Sequence, residues 1–399
     1  MKRNIKFTVK RLLAVVMVCV VLSTTLVGCP APRKDTKTSG VTSTTTAPVK
    51  PAVPSTELAD KLAERNVPEL LSRDEMLDIM QREVYGYMPA PPEEITFTEK
   101  RNVVSDYCAG KAFLNKVTAN CIVNGKEFSF PFYVAVPNDG EVHPFFVHIN
   151  FRTNETDRYQ PTEELIDNGF AVLSFNYKDI TSDDTDFTNG LAGVLFENGE
   201  REPDDPGKIA MWAWAAQRVM DYAETIDYYL DLDCAIVCGH SRLGKTALLA
   251  AATDERFDFA YSNDSGCSGA AITRGKSGED IARVCGLASQ WFCENYFQYI
   301  GSEDEMPFDQ HYLVASIAPR KVLIGSAVED HYSDPVSEQL CCLAASPAFE
   351  KGFDCTVLAK PGDEFFEGDI AYHLRAGKHY FSREDWQKLI KYVKKHYPF

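Results

Sequence analysis

Residues 234–251 read CAIVCGHSRLGKTALLAA. Cys234–Gly239 is a short apolar run, and the stretch beyond Gly244 is rich in alanine and leucine, which favour helix. A strand therefore runs into a helix through Gly239-His240-Ser241-Arg242-Leu243-Gly244. A serine on such a turn has two physical advantages. Its hydroxyl is pushed clear of the sheet, and the helix N-terminus offers backbone N–H groups to a developing oxyanion. Glycine suits a turn this tight because neighbouring backbone lies close. The spacing departs from G-x-S-x-G, since Gly244 stands three residues after Ser241 rather than two. An ordinary strand–turn–helix with an incidental serine shares this spacing, so the partners of Ser241 must be sought elsewhere in the chain.

Outward from this turn the chain alternates strands and helices. Ser129–Val136, Phe145–Asn150, Ala171–Phe175, Phe259–Ser262, Lys321–Ser326 and Cys355–Ala359 read as short strands. Several are nearly continuous apolar runs, as expected of strands covered on both faces. Helical stretches lie between them, one over Ile209–Glu224 and one just after Ser241. The last, from Arg383 to His396, opens with Ser382-Arg383-Glu384-Asp385, a capping-box pattern. This alternation predicts a mostly parallel central sheet with helices on both faces, in three layers, and the serine turn between strand and helix adds the expectation of an α/β-hydrolase fold.

A serine hydroxyl needs a base to become a nucleophile. The eight histidines are His143, His148, His240, His311, His331, His373, His379 and His396. In this fold the order along the chain is serine, acid, histidine, with the histidine in the loop after the last strand. His373 and His379 lie between the expected strand Cys355–Ala359 and the final helix, whereas His396 falls within that helix. His240 adjoins the serine, so its side chain is expected to point elsewhere. For the acid, Glu329 and Asp330 follow the strand Lys321–Ser326, and Asp264 follows the strand after the nucleophile helix.

The N-terminus reads differently. Met1–Arg11 is basic, Leu12–Val27 is apolar, and Gly28-Cys29 follows. This is the layout of a signal peptide, and Leu26-Val27-Gly28-Cys29 resembles a bacterial lipobox in which Cys29 receives lipid. Residues 29–55 are rich in Pro, Thr and Ser and hold almost no large apolar groups, which predicts a disordered tether. The expected organisation is a signal at 1–28, a tether at 29–55 and a catalytic domain at 56–399. The expected location is the surface of a bacterial cell, on a membrane lipid anchor. The formal net charge is −17, and losing residues 1–28 would remove five basic residues and no acid. So acidic a chain argues against nucleic-acid binding, which needs a basic face. No C-x-x-C pair occurs among the cysteines, so zinc and redox motifs are not indicated. Cys234 and Cys238, four apart on one strand, should face the same way as buried thiols.

Gly239-His240-Ser241-Arg242-Leu243-Gly244-Lys245 resembles the G-x-S-R-x-G-K signature of glucuronoyl esterases, carbohydrate esterase family 15. Trp212-Ala213-Trp214, Asp254–Phe257, Ser262–Ala271, Phe308–His311, Ile317–Arg320 and Arg375–His379 continue the resemblance, which spans residues 110–390 and favours the bacterial branch. It implies Ser241 as nucleophile, His379 rather than His373 as base, and Arg242 as the group that stabilises the oxyanion. Lys245 matches a lysine that contacts hydroxyls of the uronic sugar. Arg283 lies where bacterial members carry an arginine facing the pocket, and Tyr332 lies near a position that often holds a sugar-stacking tryptophan.

The departures are informative. In fungal members a cysteine before the nucleophile is bridged to one after the catalytic histidine. His240 and Tyr380 stand there, so the resemblance implies no bridge. Fungal members place a glutamate at Asp264, and some bacterial members use an acid where Asp330 stands, so both remain candidates. The implied reaction, with no metal or cofactor, is hydrolysis of esters between glucuronoxylan 4-O-methylglucuronate and lignin alcohols. The alternatives are an acetyl-xylan or other carbohydrate esterase and a non-catalytic surface glycan-binding protein. The intact Ser241, Arg242 and His379 set argues against the last.

Overall fold

The computed structural model describes residues 56–152 and 160–399. The expected signal, the tether and Cys29 lie outside the described residues. Among those described, no helix is long and apolar enough to cross a membrane.

Among the described residues ten strands form one sheet. They are β1 (Glu94–Lys100), β2 (Ala112–Val123), β3 (Lys126–Pro137), β4 (His143–Asn150), β5 (Ala171–Asn176), β6 (Leu230–His240), β7 (Phe259–Asn263), β8 (Lys321–Ala327), β9 (Glu364–Phe365) and β10 (Ile370–Arg375). Their order is β1-β2-β3-β5-β4-β6-β7-β8-β10-β9. The six from β5 to β10 in that order run parallel, flanked by antiparallel β1–β3 on one side and β9 on the other.

Alternation along each central strand builds two cores. Ala235 and Val237 of β6 join the cluster formed with helices Lys208–Ala223, Arg242–Thr253 and Pro335–Ala345. Cys234, Ile236 and Cys238 face the other way, against Trp386, Leu389 and Val393 of helix Arg383–His396. Helices thus cover both faces, and β4 is buried at every position. The final helix opens with the expected capping box, in which Ser382 Oγ accepts from Asp385 N–H and the Asp385 carboxylate accepts from Ser382 N–H. The ten described cysteines are all free, and all but Cys108 are buried.

One expected strand is absent. Cys355–Ala359 is irregular and largely solvent-facing, and its backbone is served by the Gln339 carboxamide, which donates to Val357 O and accepts from Ala359 N–H. The last parallel strand is β10, whose sequence IAYHLR contains His373 and Arg375 and so lacks a continuous apolar signature. His373 therefore lies inside the sheet. Of the two candidate histidines, only His379 lies in the loop between the last strand and the last helix.

The chain passes from β4 to β5 on one side and then to β6 on the other side of β4. The C-terminal ends of β4 and β6 mark a topological switch point, where open α/β sheets form ligand crevices.

Candidate active site

Ser241 follows β6 at that crevice. Its backbone is at φ 58°, ψ −126°, a region costly for a residue with a Cβ, by about 1–3 kcal/mol. The neighbours hold it there. Ser241 N–H donates to Asn263 O at the end of β7 (2.8 Å), and Ser241 O accepts from the N–H groups of Gly244 and Lys245. A Cβ on Gly239 would lie 2.1 Å from Leu243 O, so the strand can meet the returning helix only as glycine. A Cβ on Gly244 would lie 2.8 Å from Ser262 Oγ. The offset second glycine thus serves the contact between helix and β7. Ser241 occupies the N-cap position of helix Arg242–Thr253, yet its side chain makes no capping hydrogen bond. The hydroxyl is not consumed structurally, and the amides of Arg242 and Leu243 stand ahead of the first intrahelical bonds, which Gly244 and Lys245 make to Ser241 O.

His379 brings an imidazole to the same place. Its ring centroid lies 4.4 Å from that of His240, the residue preceding Ser241, and its Nδ1 lies 2.6 Å from Asp330 Oδ2. Burial pushes the Asp330 carboxyl up. The hydrogen bond and charge of His379, with the donors of Ser333, outweigh this and hold it below the ordinary carboxylate range. Asp330 is therefore ionised at neutral pH and suited to orient an imidazole. His240 does not point away from this chemistry, as its place in the chain suggested. Its Nδ1 is 2.7 Å from Asn263 Oδ1, and its ring backs that of His379. Burial first, then the charge of His379, push its pKa well down, so it packs there as a neutral ring.

Asp264 is close but otherwise engaged. One ligating atom each from Asp264, Asp330 and His379 lie within 4.8 Å of one another. Asp264 Oδ1 accepts from Ala327 N–H (2.8 Å), and Oδ2 from Arg375 Nη2 (3.2 Å) and Tyr380 N–H (3.3 Å). Arg375 also donates to the carbonyls of Lys378 and Tyr380. Asp264 and Arg375 thus clamp the loop that carries His379, while Asp330 holds its ring. His373 is fully buried on β10 at 3.0 Å from the Tyr261 hydroxyl, and burial pushes its pKa down to about 3.

Arg242 lies 4.5 Å from the Trp291 ring centroid, and Nη1 is ion-paired with Asp183. Its Nε is buried and finds no hydrogen-bond partner among the described residues. Asp183 also accepts from Trp291 Nε1 (2.7 Å), Tyr177 Oη (3.0 Å) and Gln290 Nε2 (3.3 Å). Burial would raise its pKa, but the Trp291 hydrogen bond and the Arg242 charge hold it below the usual range. Nothing in sequence spacing singled out Asp183. The only available signal was its position shortly after β5, at the catalytic end of the sheet.

The expected sugar contacts fall into two groups. Lys245 is buried 6.0 Å from the Trp291 ring, and its ammonium donates to Ser265 O and Cys267 O (2.5 Å each) and lies 3.8 Å from Glu279. Tyr332 is exposed, and burial and then the Glu279 carboxylate raise its hydroxyl pKa. Arg283 stands apart on helix Ile281–Ala288. It is mostly exposed and is held by Gly278 O and Asp280.

A family model described as fungal glucuronyl esterase matches residues 119–351. A carbohydrate esterase from an unknown prokaryotic organism is 32% identical over 370 residues, covering 81% of this chain and 84% of that protein. The 4-O-methyl-glucuronoyl methylesterase of Hypocrea jecorina is 27% identical over 282 residues, covering 68% of this chain and 55% of that enzyme. This chain therefore matches about half the length of the fungal enzyme. Among solved structures, the glucuronoyl esterase from Solibacter usitatus superposes with a TM-score of 0.74 at 31% identity, covering 82% of this chain and 92% of that one. A carbohydrate esterase family 15 enzyme from a marine bacterial metagenome, described as promiscuous, gives 0.73 at 31% identity, with 81% and 91% covered.

Proposed function

Because the chain belongs to the glucuronoyl esterase family, carbohydrate esterase family 15, we propose that it hydrolyses glucuronate esters, such as those joining 4-O-methylglucuronate branches of glucuronoxylan to lignin alcohols. One observation carries the assignment of roles. The His379 ring, with Asp330 on its Nδ1, lies against the residue that precedes Ser241. In the first step Ser241 Oγ attacks the ester carbonyl at C6 of the uronic acid as His379 takes its proton. Asp330 keeps Nδ1 protonated, so Nε2 is the basic nitrogen, and it stabilises the imidazolium that forms. The oxyanion meets Arg242 and the first-turn amides. A guanidinium already fixed by Asp183 and Trp291 needs no reorganisation when that charge appears. The alcohol leaves with the proton from His379. Water, activated by the same imidazole, then attacks the acyl-enzyme, releasing glucuronate and restoring Ser241. Lys245, Tyr332 and Arg283 are the side chains proposed to meet sugar hydroxyls and the polymer beyond.

The test is hydrolysis of methyl glucuronate. Ser241→Ala should lower kcat by at least about a thousandfold, and retained activity would refute the assignment. Acetylated xylan run in parallel separates this reaction from carbohydrate deacetylation.

The reading extends to location. The basic, then apolar, residues 1–28 and the Leu26–Cys29 sequence support export and a lipid on Cys29 at the membrane surface. Metabolic labelling with an alkyne-tagged fatty acid should mark the chain and fail with Cys29→Ser.

A further inference from the structure

A second cavity, of about 530 Å³, lies at the other end of the sheet. Its walls come from the end of β1, the connection from Arg101 to Gly110, the start of β2, the residue after β3 and the turn that leads into β6. Ala112 pairs with Pro137, and Ala135 with Val172, which sets these termini beside the N-terminal ends of the parallel strands. Ser241 stands at the C-terminal end of β6, so the cavity is separate from the catalytic crevice.

The lining is mixed. Tyr228 is about half exposed, and its ring lies 4.5 Å from that of Tyr229, which in turn contacts Phe113 at 5.3 Å. An exposed ring backed by two others is a rigid platform, able to cover the C–H face of a sugar at little entropic cost. Asn138 also lines this space, its Nδ2 donating to Gly110 O at 3.5 Å. The lining holds one cation, Arg101, and two carboxylates, Glu99 and Asp106. Arg101 Nε is 2.8 Å from Glu99 Oε2, while Glu99 Oε1 accepts from Asn115 Nδ2 (2.8 Å) and Tyr222 Oη (3.0 Å). With its cation already paired, in a chain of net charge −17, this cavity does not favour an anion. The connection that walls it is also shaped at a steric cost. Asn102, Asp106, Cys108 and Ala109 all have positive φ without being glycine. Such strain concentrates where a chain is held in form for a ligand.

We propose that this cavity binds a neutral oligosaccharide segment, holding the polymer at a point distant from the scissile ester. The choice of a glycan over other neutral polyols rests on the proposed action on a polysaccharide. A second weak contact on one polymer raises overall affinity through effective concentration.

The test is native electrophoresis of the full chain through gels containing soluble neutral arabinoxylan or glucomannan, with methyl glucuronate hydrolysis measured separately. Wild type and Ser241→Ala should both be retarded. Tyr228→Ala, at an exposed position, should weaken glycan binding about tenfold, with unchanged thermal melting and unchanged kcat/KM on methyl glucuronate. Asn138→Ala should weaken retardation in the same direction. The proposal is overturned if wild type migrates as in a glycan-free gel, or if Tyr228→Ala is retarded as strongly as wild type. Absence of ester hydrolysis would instead sink the catalytic reading and leave the retardation result standing.

Discussion

Arg242 is ion-paired with Asp183, a residue 59 positions earlier in the chain. Three neutral donors converge on the same carboxylate, so its position is over-determined. If Arg242 acts on charge that appears only in the transition state, loosening it should cost kcat and spare KM. Asp183→Asn is expected to lower kcat on methyl glucuronate about ten- to a hundredfold, with KM little changed. A rise in KM alone would instead place Arg242 in substrate binding.

The two aspartates near His379 should separate in their variants. Asp330→Asn replaces the charged acceptor on Nδ1 with a neutral carboxamide that can hold the wrong tautomer, and should lower kcat by about 10⁴-fold with little change in melting temperature. Asp264→Asn strips a buried partner from Arg375 and should cost about 3 kcal/mol of stability. Kinetics together with urea unfolding would distinguish the two. Equal kinetic losses without destabilisation would contradict the division of labour.

Stability should fall as the protein is acidified below neutrality. Burial lowers His148 to about 4 and His373 to about 3, against an ordinary value of 6.5. As pH drops below 6.5, the unfolded chain takes up these protons while the native state refuses them. Their contribution is thus intact above 6.5 and is lost progressively toward pH 4, at up to about 1.4 kcal/mol per pH unit for each histidine. Urea midpoints at pH 7, 5.5 and 4.5 should show the decline, and His373→Phe should make it shallower. An identical slope in that variant would contradict the account.

Glycine substitutions should divide by backbone contact. Gly239→Ala forces a Cβ to 2.1 Å from Leu243 O, so the turn must shift. Losses of about 1–3 kcal/mol and a lower kcat are expected. Gly286, inside helix Ile281–Ala288, has nothing within 4 Å of the added carbon. Gly286→Ala should stabilise by about 0.5–1 kcal/mol without touching activity. Thermal unfolding of both variants checks the pair.

What could be read directly from the chain was what local physics writes into it. The Cys234–Ala251 segment shows its strand, turn and helix through apolar run, glycine and alanine, and the final helix announces itself by its capping box. β10 escaped because His373 and Arg375 occupy a strand buried at every position, their polar groups met by Tyr261, Asp264 and Asp385, which only folding brings near. The choice between Asp330 and Asp264 stayed open for a similar reason. Both stand just past a parallel strand, and what distinguishes them is that Arg375 takes one and His379 the other. Asp183 was hidden among look-alikes. Asp184 and Asp186 nearby are exposed and bond mainly within their own loop, a difference set by distant Trp291 and Arg242.

The unbridged cysteines have a practical consequence. Burial pushes thiols such as Cys238, Cys341 and Cys342 far above their usual range, so they stay protonated and inert toward alkylating reagents while the fold is closed. Once the chain opens, the same groups become reactive. The protein thus carries its own clock for opening, readable by pulsed alkylation and mass spectrometry, and none of these ten thiols calls for an oxidant during its maturation.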